Sequence, residues 1–201
     1  MNYTDFSAIL VAAGLSSRMG AVNKLLLPVN GQPMVRHSAK LYLDLGISVC
    51  VVLGFEADKV GAALDGLDVA CVHNRIFETG QQSSVRAGLD HIQLPKAGLF
   101  IALADQPFLQ GQDIADMCDA FLQSAQDKIF LPDFNGQRGN PILFPGPLVS
   151  QIRAQGRVPG CRKFIADHPE LVRAFPAPNP HFTTDIDTLQ DAENLLNTAL
   201  T

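Results

Sequence analysis

The chain has 201 residues, 47% of them hydrophobic, enough for one domain with a substantial core and with no demand for a second. Twenty acidic residues against fifteen basic ones leave a formal charge of -5, which argues against the broad basic footprint of a nucleic-acid-binding protein. The opening MNYTDFSAILVAAG has no charged leader and no long apolar run, so neither a signal peptide nor a membrane span is expected, and the expected location is the cytoplasm. Cys50, Cys71, Cys118 and Cys161 show no CxxC spacing and read as reduced, buried thiols. The histidines form no metal-ligand pair, and His37 and His91 read as solvated helix residues.

The first element is an apolar strand, Ile9-Leu10-Val11, that runs into the small residues Ala12, Ala13 and Gly14 and then into a loop with Ser16, Ser17, Arg18, Gly20 and Lys24. Small residues let backbone N–H groups approach a ligand, and one guanidinium with one ammonium can neutralise phosphate oxygens. A nucleoside triphosphate is the natural candidate, and an ordinary strand-to-helix connection with two solvated cations is the alternative. The Walker pattern is absent, because Gly20 is followed by Ala21 and Val22, and only Gly14 and Gly20 of a three-glycine dinucleotide fingerprint are present.

Beyond this loop, Gly31-Gln32-Pro33 punctuates the chain, with Pro33 suited to a first helical turn. Met34, Ser38, Leu41 and Leu45 recur at helical spacing, and Gly46 supplies a stop. Val49 to Leu53 reads as a buried parallel strand, followed by a helix from Glu56 to Leu64 and a strand from Val69 to His73. In the polar segment from Asn74, Ser83 or Ser84 reads as a helix N-cap, and Arg86 as a surface helix residue. Gly98 to Leu103 is another buried strand, and it delivers Asp105 to the edge where open α/β sheets bind ligands, with a turn residue as the alternative. Ile114, Met117, Cys118, Phe121 and Leu122 mark an amphipathic helix, and Lys128 to Leu131 starts a strand. Asn135-Gly136 predicts a hairpin, with Arg138, Gly139 and Asn140 just beyond it. Arg153, Arg157, Arg162 and Lys163 form either a site for an anionic acceptor or a solvated basic loop after a short helix around Leu148 to Ala154. Leu171 to Phe175 suits a last strand, and Thr188 with Asp191 forms a capping-box pair for a last helix. The βαβα order predicts a Rossmann-like three-layer α/β/α domain with a mostly parallel sheet and an antiparallel hairpin element.

A-A-G-L-S-S-R-M-G followed by K-L-L-L-P resembles the signature loop of the MobA-like nucleotidyltransferases, a family that includes cytidylyl- and guanylyltransferases of the molybdenum cofactor. The similarity runs from the first strand to the last helix, so it implies a single domain over residues 1–201 of the nucleotide-diphospho-sugar transferase type, with residues 133–165 forming much of the acceptor side. It implies that Ala12, Ala13, Gly14, Ser16, Ser17, Arg18 and Lys24 wrap the triphosphate of CTP, and that Gly80, Gln81, Ser83 and Ser84 approach the base. It places Mg2+ on Asp105 and Asp187, with Asp185 in reserve, and the acceptor, a molybdopterin-type phosphate, on Arg138, Gly139, Asn140, Arg157 and Arg162. Arg157 stands where many relatives carry an acid in G-D-x-G-A-R, a departure that bears on the acceptor. Ala13 stands where guanylyltransferase relatives usually carry Gly, which implies CTP over GTP. The resemblance extends to a transient contact with a molybdoenzyme or its chaperone. A transferase for a sugar phosphate or isoprenoid precursor, a nicotinamide-dependent oxidoreductase and a non-catalytic nucleotide sensor are the competing classes.

Overall fold

Alternation along the strands explains how the sheet is covered on both sides. In β1 (Phe6–Ala12) the residues Phe6, Ala8, Leu10 and Ala12 enter one apolar cluster and Ile9 enters the other, as a period of two dictates. A computed structural model describes residues 2–20, 22–154, 156, 158 and 162–198. In chain order it continues with β2 (Pro28–Val29), β3 (Gln32–Pro33), α1 (Met34–Leu43), β4 (Ser48–Leu53), α2 (Ala57–Ala62), β5 (Val69–His73), α3 (Gln81–His91) and β6 (Gly98–Leu103). Then come α4 (Gly111–Leu122), β7 (Ile129–Phe134), β8 (Gln137–Arg138), β9 (Ile142–Pro145), α5 (Gly146–Ala154), α6 (Arg162–Asp167), β10 (Val172–Pro176) and α7 (Leu189–Thr198).

The main sheet has eight strands in the order β10-β7-β9-β6-β1-β4-β5, with β8 folded back on β7. Strands β1, β4, β5 and β6 run parallel, as do β7 and β10, while β9 lies antiparallel between β6 and β7. The first cluster packs Val35, Ala39 and Tyr42 of α1 and Ile114, Met117 and Phe121 of α4 on one face. The second packs Val85 and Leu89 of α3, Val149 and Ile152 of α5, and Phe164 and Ile165 of α6 on the other. This is the expected three-layer α/β/α domain. The sheet grows from β1 toward β4 and β5 on one side and toward β6 on the other, so the order reverses between β1 and β6. Such a switch point opens a crevice at the carboxyl ends of the two strands.

Several expectations are refined. The hairpin at Asn135-Gly136 forms, with φ of 53° and 83° at its two turn residues and Phe134 opposite Gln137, and β9 adds an antiparallel strand inside the sheet. A second two-residue hairpin, β2-β3 around Asn30-Gly31, turns the chain where only punctuation was expected. Helix α3 starts at Gln81 with Gly80 as its cap residue, so Ser83 and Ser84 lie inside its first turn and neither is the N-cap. His37 is half-buried on α1, and that burial holds its pKa below the usual value. Cys50 and Cys118 are buried, but Cys71 is exposed because β5 is the outermost strand; Cys161 lies outside the described residues. Leu122, at the end of α4, is also exposed. Arg86 is half-buried and donates to the carbonyl of Gly156. No helix among the described residues is long and apolar enough to cross a membrane.

Candidate active site

The loop after β1 is built to hold Lys24 in one place. Ser16 adopts a left-handed conformation, φ 50°, and its buried hydroxyl accepts the Lys24 amide at 3.3 Å. A short 3-10 turn, Ser17–Met19, follows, with Met19 buried as its anchor while Ser17 and Arg18 stay exposed. A second turn, Lys24–Leu26, is capped by the Asn23 side chain, which accepts from the Leu25 amide at 3.1 Å. Lys24 is thereby buried at 9% exposure, an unusual state for a lysine that demands counter-charge.

That counter-charge comes from two distant segments. The Lys24 ammonium donates to Asp105 at 2.6 Å, to Asp187 at 3.0 Å and to the carbonyl of Ile186 at 2.8 Å. Arg18 pairs with the other oxygen of Asp187 at 2.8 Å. Burial by itself would lower the Lys24 pKa, but the two carboxylates outweigh it and hold the ammonium above its ordinary value. Asp105 reaches this point because β6 ends at Leu103, and its carbonyl accepts the Ile186 amide at 2.9 Å, which sets the 185–187 segment against the strand end. Asp187 is held from its other side by Asp191, which accepts the amides of Asp187 and Thr188 while Thr188 Oγ1 accepts the Asp191 amide, the expected capping pair.

Asp105, Asp185 and Asp187 each bring a carboxylate oxygen to within 4.8 Å of the others. Asp105 Oδ2 faces Lys24, whereas Oδ1 is enclosed with no hydrogen-bond partner among the described residues. The Asp185 pKa is raised by partial desolvation and by the charges of Asp105 and Asp187. An unsatisfied carboxylate oxygen within a set of hard oxygen donors fits a divalent cation such as Mg2+. Asp185 thus joins the pair chosen from the sequence.

Two connected clefts flank this centre at the switch point. Gly14, Leu15, Ser16, Ser17, Arg18 and Lys24 line a polar pocket of about 280 Å³ that also contains Asp105 and Asp187. Beside it, a cleft of about 330 Å³ runs over Ala13, Phe77, Gly80, Gln81, Ser84 and Leu103. Ala12 and Ala13 are buried, and Ala13 sits so close to Gly54 that a Cβ added there would come within 2.7 Å of the Ala13 methyl. Ala13 therefore touches the cleft from beneath, with its methyl seated on Gly54.

Asn74, buried at the end of β5, organises the serines: its Nδ2 donates to Ser83 at 2.8 Å and to Ser84 at 3.1 Å, and its Oδ1 accepts the Ile76 amide. The Ser83 hydroxyl donates into the carbonyls of its own turn, Gly80 and Ile76, whereas Ser84 lines the cleft. Asn74 and Phe77 were not singled out from the sequence. A polar residue directly after an apolar strand was the available signal for Asn74; nothing local marked Phe77.

A third cleft, about 470 Å³, opens between the ends of β6, β7 and β9 and helix α6, and Gln81, Arg138, Gly139, Asn140, Ile165 and Asp185 contribute to it. The hairpin therefore brings three expected acceptor residues beside the carboxylates. Arg157 lies outside the described residues, as does the side chain of Arg162, the first residue of α6.

Comparison with known proteins gives the family of the chain. The MobA-like NTP transferase domain matches residues 8–172, and the chain belongs to that family of nucleotidyltransferases. It is 28% identical over 196 residues to the nicotine blue oxidoreductase of Paenarthrobacter nicotinovorans, covering 94% of this chain and 96% of that one. It is 27% identical over 186 residues to the molybdenum cofactor cytidylyltransferase of Escherichia coli K12, covering 91% of each. A nucleotidyl transferase structure from Methanothermobacter thermautotrophicus superposes with a TM-score of 0.77 over 96% of this chain and 98% of that one, at 22% identity.

Proposed function

We propose that this member of the MobA-like NTP transferase family moves CMP from CTP to the phosphate of a molybdopterin-type acceptor, with Mg2+ and release of pyrophosphate. The observation that carries the reading is the meeting of the cationic loop with Asp105, Asp185 and Asp187 at the switch point of the sheet, between two clefts. An acceptor phosphate is already ionised at neutral pH, so no general base is needed, and positioning with charge neutralisation carries the rate. Magnesium, when bound, would supply Lewis-acid stabilisation of the phosphates, held by Asp105 and Asp187 with Asp185 beside them. Arg18 and Lys24 would exchange their carboxylate partners for triphosphate oxygens, while backbone amides around Gly14, Ser16 and Ser17 complete the cradle. Gly80, Gln81 and Ser84 would read the base, with Ser83 supporting the turn. Arg138, Gly139 and Asn140 would orient the acceptor, aided by Arg157 and Arg162.

For CTP rather than GTP the reading relies on Ala13, which borders the cleft assigned to the base. One methyl discriminates by only about 1 to 3 kcal/mol, so hydrogen bonds from Gln81 and Ser84 must add to it. A pyrophosphate-release assay that pairs each nucleoside triphosphate with molybdopterin, sugar phosphates and an isoprenoid-precursor phosphate tests the reading. We expect release with CTP and molybdopterin. GTP preference would refute the base assignment, another acceptor would remove the molybdopterin assignment, and nicotinamide-dependent reduction of a substrate without pyrophosphate would replace the transferase reading altogether.

A further inference from the structure

We infer that Gln106, next to the strand-end carboxylate, is a positioning residue for the acceptor cleft; the inference rests on the transfer reading above. Gln106 is 3% exposed, yet its amide is not spent on its own turn. Its Nε2 donates at 2.8 Å to the carbonyl of Phe182, in the connector that leads to the carboxylates. The same carbonyl accepts the backbone amide of Asn140 at 2.9 Å. Both lone pairs of one oxygen are thus used to join the end of β6 to the 139–140 rim of the acceptor cleft. The rim is pressed closely onto this node, since a Cβ at Gly139 would lie 2.5 Å from the Phe182 oxygen.

The node is anchored in the core and not in the loop. The Phe182 ring is fully buried and meets Phe175 edge-on at 5.8 Å. Upstream, the buried carboxylate of Asp113 on α4 accepts Asn179 Nδ2 at 2.8 Å and contacts His181 Nδ1 at 2.8 Å. Downstream, the carboxylates have tethers of their own: the Ile186 amide to Asp105, the Ile186 carbonyl to Lys24, and Asp187 to Asp191. The Gly139 amide is tied separately to the Pro132 carbonyl at 2.8 Å, whereas Asn140 has the Phe182 carbonyl as its amide acceptor, so the orientation of that carbonyl, and with it Gln106, sets the Asn140 end of the rim. Loss of Gln106 should therefore loosen the acceptor side and spare the nucleotide side.

The test is Gln106→Met, which keeps length and removes the donor. Amide hydrogen exchange in the free protein should quicken by about tenfold at Asn140 and stay as in wild type at Ile186. In the pyrophosphate assay, KM for the acceptor should rise roughly tenfold while KM for the nucleotide stays within about twofold. A general loss of packing would move both exchange sites and both constants together, and that result, or unchanged exchange at Asn140, overturns the assignment. If Gln106→Met does not fold, Gln106→Asn, whose shorter amide cannot reach Phe182, is read in the same way; failure of both to fold marks Gln106 as a core residue and also overturns it. Should wild type release no pyrophosphate with any pair, the transfer reading fails, while the exchange measurement still decides whether Gln106 holds the rim.

Discussion

The ammonium of Lys24 lies 2.6 Å from a carboxylate oxygen of Asp105, a residue 81 positions further along the chain. With only 11% and 18% of their side chains exposed, the two groups are each other's main compensation for lost water. Lys24→Met removes the buried ammonium between Asp105 and Asp187 and leaves only Arg18, on the far oxygen of Asp187. We expect a loss of about 1 to 3 kcal/mol of stability in EDTA, part of it restored by excess Mg2+, together with a large fall in transfer. Thermal and denaturant unfolding with and without the metal would check this, and an unchanged midpoint in EDTA would show that the pair does not support the fold.

Asp105→Asn keeps the shape of the strand end and removes the charge that both Lys24 and a cation would share. Nearly complete loss of magnesium-dependent transfer is expected, with the fold retained. Asp187→Asn should follow it closely, because Asp187 also holds Arg18 at 2.8 Å. Titration of Mn2+ by electron paramagnetic resonance in each variant separates a ligand from a turn residue, and wild-type affinity with full activity in Asp105→Asn would refute the role.

Gly54 packs against two residues of the cleft beside the loop, where an added Cβ would stand 2.7 Å from both the methyl and the carbonyl oxygen of Ala13 and 2.8 Å from the Phe77 ring. Gly54→Ala must therefore push the loop or the aromatic wall out of place. Overpacking of this kind costs about 1 to 3 kcal/mol. We expect nucleotide KM to rise by about tenfold or more, with the acceptor constant less affected. Isothermal titration with CTP would register the change even without an acceptor.

Several groups oppose alkaline conditions together: burial raises the pKa of the Cys50 and Cys118 thiols and of the Tyr42 phenol, and Tyr3 and Lys24 act in the same direction. The Tyr3 phenol, buried and donating to Asp119 at 2.9 Å, has its pKa raised from 10.0 to about 12, by burial first and then by that carboxylate. The unfolded chain releases this proton near pH 10 while the folded chain keeps it, so stability falls as pH rises from 10 toward 12. Lys24 acts in the same direction: its raised pKa gives stability that is fully present below 10.5 and lost as pH climbs through the folded value. Denaturant midpoints measured from pH 9 upward should drop in this window, and Tyr3→Phe should flatten part of the slope.

How far local sequence reaches is clearest in the strands. The expected strands Val69 to His73 and Gly98 to Leu103 match the observed β5 and β6, because a short, continuous apolar run bounded by turns has few other uses. The hairpin at Asn135-Gly136 was equally legible, since both turn residues must take positive φ and Asn and Gly tolerate it. The same dipeptide at Asn30-Gly31 gives no such signal, because its strands are two residues long and carry no alternating pattern.

By itself, the sequence determined the alternation of strands and helices, the small-residue loop with its two cations, and the strand-end position of Asp105, all properties of neighbouring residues. Only the tertiary structure decided that Lys24 would lie between Asp105 and Asp187, partners 81 and 163 positions away, and that Asp185 would join them. It also decided that Cys71 would face solvent on an edge strand and that Asn74 would direct its amide at two serines. The physical reason is that register and strand order set these distances. Period and composition constrain which face of an element a residue takes, but the order β6-β1-β4 places the ends of distant strands side by side, and no local pattern carries that order.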